Sequence, residues 1–196
     1  MSIVLLDIGN VLVDVDFMRF CRKVSRSGEV GAEAIYGRYC ASELKNRFDK
    51  GLVAPSSYLE TIAGDPDVDF FGARELKTAW QDIFVPKTDV PDAVGEILRN
   101  HRVWIMSDTD PLHFTHLLNT LPVLRTAERY WLSFERGYLK RESEAFQELL
   151  SVSGRDDGEF VLIDDREDNC RSAASSGIRA IRFRNWSQAL QEMRTV

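Results

Sequence analysis

The sequence predicts an α/β fold, a doubly wound parallel sheet with an inserted helical cap, and two observations predict it. Short runs of mostly apolar residues recur along the chain, namely Ile3-Val4-Leu5-Leu6, Val103-Trp104-Ile105-Met106 and Phe160-Val161-Leu162-Ile163. Runs of this length read as strands buried on both faces, the pattern of a parallel sheet covered by helices. Between residues 16 and 86 the pattern changes. Phe17, Phe20, Cys21 and Val24 recur at helical spacing, as do Ile35, Tyr39 and Leu44, and strand-like alternation is absent. The expected organisation is a core of residues 1–15 and 87–196 with a helical insert over 16–86.

In chain order, the first strand ends at Asp7. Gly9 and Asn10 follow, the residue types that most readily turn a chain sharply, so the carboxylate is expected at the carboxyl edge of the sheet. In open α/β sheets ligands bind at that edge. Within the insert, Phe48-Asp49-Lys50-Gly51 is a helix stop and Pro55-Ser56-Ser57 a helix start. Ala63-Gly64-Asp65-Pro66-Asp67 reads as a loop, and Leu76, Trp80 and Phe84 as the helix returning to the core. Arg38, Lys45 and Arg47 could reach a substrate, but basic residues on amphipathic helices are more often solvated.

A core helix is expected over Val90 to Leu98, and the strand from Val103 ends in Ser107-Asp108. Pro111 marks the next helix start, with Asp108 or Asp110 as its N-cap. His113 and His116 share a face of that helix, an incomplete ligand set for zinc. A strand from Tyr130 to Leu132 leads through Gly137 to Lys140, followed by an amphipathic helix over Glu142 to Val152. The run from Phe160 ends in Asp164-Asp165. Ala173-Ala174 and Gly177 form a closely packing helix and its stop, and Ala180 to Phe183 completes the sheet.

These runs bring Asp7, Ser107, Asp108, Lys140, Asp164 and Asp165 toward one rim. Carboxylates at two strand ends, with no Arg beside Asp7, repel and raise one another's pKa unless a cation sits between them. A hard ion such as Mg²⁺ fits, because it takes one or two carboxylates and leaves positions for water and a substrate phosphate.

Composition narrows the partners. A length of 196 residues with 44% hydrophobic content supports one good core, and a net charge of −6 argues against a nucleic-acid or anionic-membrane surface. Cys21, Cys40 and Cys170 lie far apart, which suits a reducing cytoplasm better than a disulfide framework. The amino-terminal apolar run lacks a basic flank and contains Asp7, so it reads as neither signal peptide nor membrane span.

The order Asp7-Ile8-Gly9-Asn10-Val11, then Ser107-Asp108-Thr109, then Lys140, then Asp164-Asp165 with Asn169 resembles the haloacid dehalogenase superfamily of phosphotransferases. Asp7 through Asp14 and Ser107-Asp108-Thr109-Asp110-Pro111-Leu112-His113 are similar, more narrowly, to the subgroup that includes α-glucose-1-phosphate phosphatase. The resemblance covers nearly the whole chain and implies a Rossmann-like core with a cap over the active site. It implies a Mg²⁺-dependent phosphomonoesterase acting on a small phosphorylated metabolite, a sugar phosphate among the candidates. Asp7 would attack phosphorus to form an aspartyl-phosphate, and Asp7, Asp165 and the Gly9 carbonyl would bind the metal. Asp164 would be a metal ligand or a partner of one. Ser107 and Lys140 would hold the phosphoryl group, with Gly9, Asn10 and Asp108 at the substrate.

Three departures from the resembling pattern stand out. Gly9 replaces the Asp that usually protonates the leaving oxygen, Asp108 replaces an Asn, and Arg141 replaces a Pro or Gly. Without an acid at residue 9, an acidic leaving alcohol is favoured unless Asp14 or His113 substitutes. Three functions therefore stay open: an intact phosphatase, a catalytically weakened binding or regulatory relative, and a haloacid dehalogenase. In this superfamily dehalogenation needs no metal, so the paired Asp164 and Asp165 speak against the third.

Overall fold

The computed structural model describes residues 1–69 and 72–194. Among these residues, β1 (Ile3–Leu6), β4 (Arg102–Ser107), β5 (Arg129–Leu132), β6 (Phe160–Asp164) and β7 (Arg179–Arg182) form one parallel sheet in the order β5-β4-β1-β6-β7. The first strand is central. Leu6 pairs with Ile105 on one side and Ile163 on the other, so β1, β4 and β6 end in register. The chain passes to β4 and β5 on one side of β1 and then to β6 and β7 on the other. That reversal opens a crevice at the carboxyl ends of β1, β4 and β6.

Alternate residues of each strand face opposite sides of the sheet. Val4, Leu6, Val103, Ile105, Val161 and Ile163 pack against α6 (Val90–Leu98), α7 (Pro111–Thr120) and α11 (Trp186–Met193). Ile3, Leu5, Trp104, Met106, Phe160 and Leu162 pack against α9 (Ser143–Ser153) and α10 (Glu167–Ser175). Burial on both faces is why these runs lack polar alternation, as the doubly wound reading expects.

Between β1 and β4 the chain builds a second, mostly helical layer from α1 (Phe17–Val24), α2 (Gly28–Ile35), α3 (Glu43–Asp49), α4 (Pro55–Ala63) and α5 (Ala73–Gln81). It has its own core, in which Phe20, Phe48, Tyr58 and Trp80 are fully buried. Ile35 and Tyr39 are buried as their spacing predicts, but they do not lie on one continuous α-helix. Residues 36–40 form a wider turn, closed by Ala41 N donating to Tyr36 O at 3.0 Å, that brings Tyr39 and Cys40 inward together. Cys21 and Cys40 are thereby brought to 3.7 Å between sulfurs, although they are far apart in sequence.

The expected helix through Phe84 is corrected by the structure. The helix α5 ends at Gln81, and Phe84 lies in β3 (Phe84–Pro86), which pairs antiparallel with β2 (Val13–Val15). Entry to and exit from the helical layer thus share a short ribbon, and β-pairing there overrides the helical spacing of Leu76, Trp80 and Phe84. Gly51, past the end of α3, has φ 70°, and a Cβ there would meet Phe134 O at 2.2 Å. Phe134 lies in the short α8 (Ser133–Arg136), so this glycine lets the helical layer approach the core. Among the described residues no helix is long and apolar enough to cross a membrane.

Candidate active site

The sequence-predicted residues converge at the carboxyl end of β1. Asp7 follows the strand directly, and its backbone N donates to Ile163 O at 3.1 Å, extending the ladder with β6. The side chain is thereby aimed beyond the sheet edge rather than into either apolar face. Its Oδ1 accepts from Lys140 Nζ at 2.7 Å. Lys140, in the loop between α8 and α9, also donates to Asp164 Oδ2 at 2.5 Å and to Met106 O at 3.2 Å, and is 2% exposed. The cation that the sequence does not show beside Asp7 therefore arrives from far along the chain.

Asp164 and Asp165 are adjacent but differ in surroundings. Asp164 is wholly buried. Its Oδ1 accepts from Arg166 N at 2.9 Å, Asn169 Nδ2 reaches both oxygens at 3.1 Å, and Lys140 takes Oδ2. Asp165 is half-exposed, and its Oδ2 accepts from Asn10 Nδ2 at 3.0 Å. One potential ligand atom from each of Asp7, Asp164 and Asp165 lies within 4.8 Å of the others. Asp165 Oδ1 and Asp7 Oδ2 have no protein donor among the described residues, whereas both Asp164 oxygens are taken. An all-oxygen donor set with free acceptors on two carboxylates fits a hard divalent cation.

Asn10 explains how the turn is held. Its φ is 55°, in the left-handed region that Asn tolerates better than most residues. Besides holding Asp165, it accepts from Val15 N at 3.2 Å through Oδ1 and from Lys87 Nζ at 2.6 Å through its carbonyl. Gly9 borders the same cavity. A Cβ there would meet only Val15 Cγ2 at 3.4 Å, so packing does not by itself demand glycine.

Burial pushes the Asp7 carboxyl up to about 7; Lys140 opposes this, while Asp164 and Asp165 add to it. One ammonium shared between two buried acids does not fully neutralise either. Burial also works against the charge on Lys140, but Asp164, Asp7 and Asp108 together hold its ammonium above the ordinary lysine value.

Ser107, the last residue of β4, is buried and borders the cavity with Asp108. Asp108 Oδ1 accepts from Lys140 N at 2.9 Å, whereas Oδ2 is buried without a hydrogen-bond partner among the described residues. The cavity measures ≈170 Å³, and a second of ≈610 Å³ lies between the helical layer and the core. Asn10, Val15, Phe17, Lys45, Asp108 and Arg166 border both.

Two features of the site come from contacts that the sequence does not reveal. Of the three bases considered on the helical layer, Lys45 is buried and borders both cavities. Arg38 pairs with Asp65 at 3.0 Å and Asp67 at 2.8 Å, and Arg47 is exposed. Lys45 pairs with Asp49 and lies 3.6 Å from Asp110 Oδ2. Its i,i+4 spacing to Asp49 is visible in the sequence, but its burial is not.

Asp110, not Asp108, caps α7, accepting from Leu112 N and His113 N at 2.9 Å. His113 uses both ring nitrogens, with Nδ1 2.7 Å from Asp110 Oδ2 and Nε2 2.7 Å from Trp80 O, and it stacks on the Trp80 ring. Burial works to raise Asp110, but His113 and Lys45 hold it below the usual carboxylate range. This buried polar cluster fastens the helical layer to α7, with both ring nitrogens of His113 engaged.

No protein-family model matches the chain. A D-ribitol-5-phosphate phosphatase of Bacteroides thetaiotaomicron is 19% identical over 98% of this chain and 97% of its own length. Among solved structures, a HAD family enzyme of the same organism, in complex with magnesium and inorganic phosphate, superposes with a TM-score of 0.80 at 24% identity, covering 96% of this chain and 98% of that one. An L-2-haloacid dehalogenase of Xanthobacter autotrophicus superposes with a TM-score of 0.69 at 16% identity, covering 100% of this chain and 83% of that one. By these likenesses and by its sheet order, the chain has the α/β fold of the haloacid dehalogenase-like hydrolases.

Proposed function

We propose that this protein is a Mg²⁺-dependent phosphomonoesterase that forms an aspartyl-phosphate on Asp7 and acts on a small phosphorylated metabolite of the sugar or sugar-alcohol class. The observation that carries this reading is the Asp7 carboxylate held through Oδ1 by Lys140 at 2.7 Å, with Oδ2 free of protein donors among the described residues, beside Asp165. A carboxylate fixed at one oxygen is oriented to attack with the other, and covalent attack splits one hard displacement into two easier ones. Lys140 and Ser107 would hold the phosphoryl oxygens, with charge placed in advance where it develops.

The metal would sit on Asp7, Asp165 and the Gly9 carbonyl. When bound, Mg²⁺ would neutralise the acids and the incoming phosphate. Asp164 is better suited to positioning Lys140, because both its oxygens are already occupied. The phosphatase named above acts on a sugar-alcohol phosphate, and the related solved structure binds magnesium and phosphate, which supports the same chemistry here. The polar lining of the larger cavity, with Ser42, Asn46 and Arg141, suits a polyhydroxylated leaving group. The layer over residues 16–86 would act as a cap that excludes water during transfer.

A panel of phosphate esters assayed with and without Mg²⁺ tests this reading, alongside Asp7→Asn. The native protein should turn over at least one ester only with Mg²⁺, and the variant should fold but fail. Turnover by the variant, with deamidation excluded by mass spectrometry, would remove Asp7 as nucleophile. Release of halide from 2-haloacids without metal would favour the dehalogenase instead.

A further inference from the structure

The phosphatase reading leaves the departing oxygen without an obvious proton donor, because glycine stands at residue 9. Neither group that the sequence offers as a substitute is placed to serve. His113 is buried with both ring nitrogens engaged by Asp110 and Trp80 O. Asp14, on β2, is 59% exposed, pairs with Lys87 at 2.9 Å, and does not border the catalytic cavity.

Three carboxyl groups do border that cavity: Asp7, Asp165 and Asp108. The first is the proposed nucleophile, and the second belongs to the proposed metal site. Asp108 differs from both in position, since no other carboxyl group borders both the catalytic cavity and the larger cleft among the described residues. A phosphomonoester bound with phosphorus at Asp7 and its leaving group in the cleft would have the bond to be broken at that boundary.

The hydrogen bonding of Asp108 has the asymmetry of a proton donor. Its Oδ1 is fixed by the Lys140 backbone N at 2.9 Å, while Oδ2 is buried and no donor among the described residues reaches it. Buried carboxylate oxygens normally find a donor. An oxygen without one is where a neutral carboxyl carries its own proton, to be accepted by something the protein does not supply. An ionised Asp108 would also set an extra anion against the incoming phosphate, and a protonated one does not.

We propose that Asp108 Oδ2 is the general acid that protonates the leaving oxygen, in place of the acid absent at residue 9. This rests on the phosphatase reading above. As a bond forms from Asp7 to phosphorus, the bond from phosphorus to the leaving oxygen breaks, and its electron pair takes the proton from Asp108. The resulting Asp108 carboxylate then removes a proton from the water that attacks the aspartyl-phosphate. A bond from the water oxygen to phosphorus forms, the bond to Asp7 breaks, and Asp108 is protonated again.

The charged groups around Asp108 are Lys140, Asp164 and Arg166 from the core and Asp49 from the helical layer. Burial raises its carboxyl above the ordinary value, against the pull of Lys140 and its backbone N–H and of Arg166, and with the push of Asp164. This favours the protonated form that the step needs.

The test compares kcat/KM of the full chain and of Asp108→Asn, both with Mg²⁺, on D-ribitol 5-phosphate, on other alkyl phosphates and on p-nitrophenyl phosphate. Asparagine keeps the size of the side chain and an acceptor for Lys140 N, and circular dichroism is the folding control. The ratio kcat/KM reports only the steps up to release of the alcohol, so loss of Asp108 from the later hydrolysis does not enter it. General acid catalysis is typically worth about 10²–10⁴ in rate. The variant should lose about that factor on alkyl esters and less than about threefold on the aryl ester, whose leaving group departs without a proton. The alkyl-ester profile of the native protein should fall at high pH as Asp108 ionises, and that limb should vanish in the variant. Equal losses on both ester classes, or none on either, would overturn the assignment while leaving the phosphatase reading intact. Failure of the native protein to cleave any ester would overturn both.

Discussion

Lys140→Met tests the centre of the site through stability, independently of any substrate. The change keeps most of the stem and removes the ammonium shared by Asp7 at 2.7 Å and Asp164 at 2.5 Å. Lys140 is 2% exposed, Asp7 7% and Asp164 not at all, so water cannot easily replace the lost partner. Breaking a buried ion pair by deleting one member typically costs ~3–5 kcal/mol, because the remaining charge is left uncompensated. For a chain of this size each kcal/mol lowers the melting midpoint by roughly 2–4 °C, giving an expected loss of roughly 6–20 °C in metal-free protein at pH 8.

The loss should depend on pH, with a definite sign. Asp7 is raised to about 7 in the folded state, against an unfolded value near the ordinary ~4. Its contribution to stability is therefore fully present below about pH 4 and is lost as pH rises through about 7. Removing Lys140 removes the group that opposes this rise, so the variant should gain more than the native protein on acidification. The gap in midpoint should shrink between pH 8 and pH 5. Melting followed by circular dichroism in chelator across that range measures it. A gap under about 3 °C at pH 8, or one that widens as pH falls, would refute the charge-sharing argument.

Two other changes probe the rim. Mg²⁺ at about 100 times its Kd should stabilise the native protein by ~2.7 kcal/mol, or roughly 5–11 °C, and Asp165→Asn should abolish most of that rise; an unchanged response would remove Asp165 from the metal site. Asn10→Ala should lower stability by about 1–3 kcal/mol, through the strain of φ 55° and the lost bonds to Asp165 and Val15 N, and should weaken the Mg²⁺ response. Asn10→Gly relieves the strain but not the lost bonds, so it should recover part of the stability and none of the Mg²⁺ response; equal behaviour of the two variants in both measurements would show that the backbone angle is immaterial.

Features that depend only on neighbours along the chain follow from the residues alone. Four apolar residues in succession at Ile3, Val103 and Phe160 can be satisfied only by burial on both faces, so the strands and their layering were legible. A carboxylate at the end of such a run comes to the sheet edge, as Asp7 does directly after β1 and Asp164 and Asp165 do at the end of β6. The same local logic failed at Phe84, where pairing with Val15 overrode helical spacing. It was also silent on which charges would meet.

Lys45, Asp110, His113 and Trp80 come together from three helices, and neither the burial of Lys45 nor the engagement of both His113 nitrogens is a property of any short stretch. Asp164 and Asp165 are adjacent and chemically identical. Only the arrival of Lys140 and Asn169 at one and Asn10 at the other occupies both oxygens of the first and leaves one oxygen of the second without a donor among the described residues. The same holds for Asp108, with Lys140 N on one oxygen and no partner among the described residues on the other. Sequence places a charged group at the rim, but its role depends on desolvation and on the donors delivered by distant elements, and these exist only once the chain has folded.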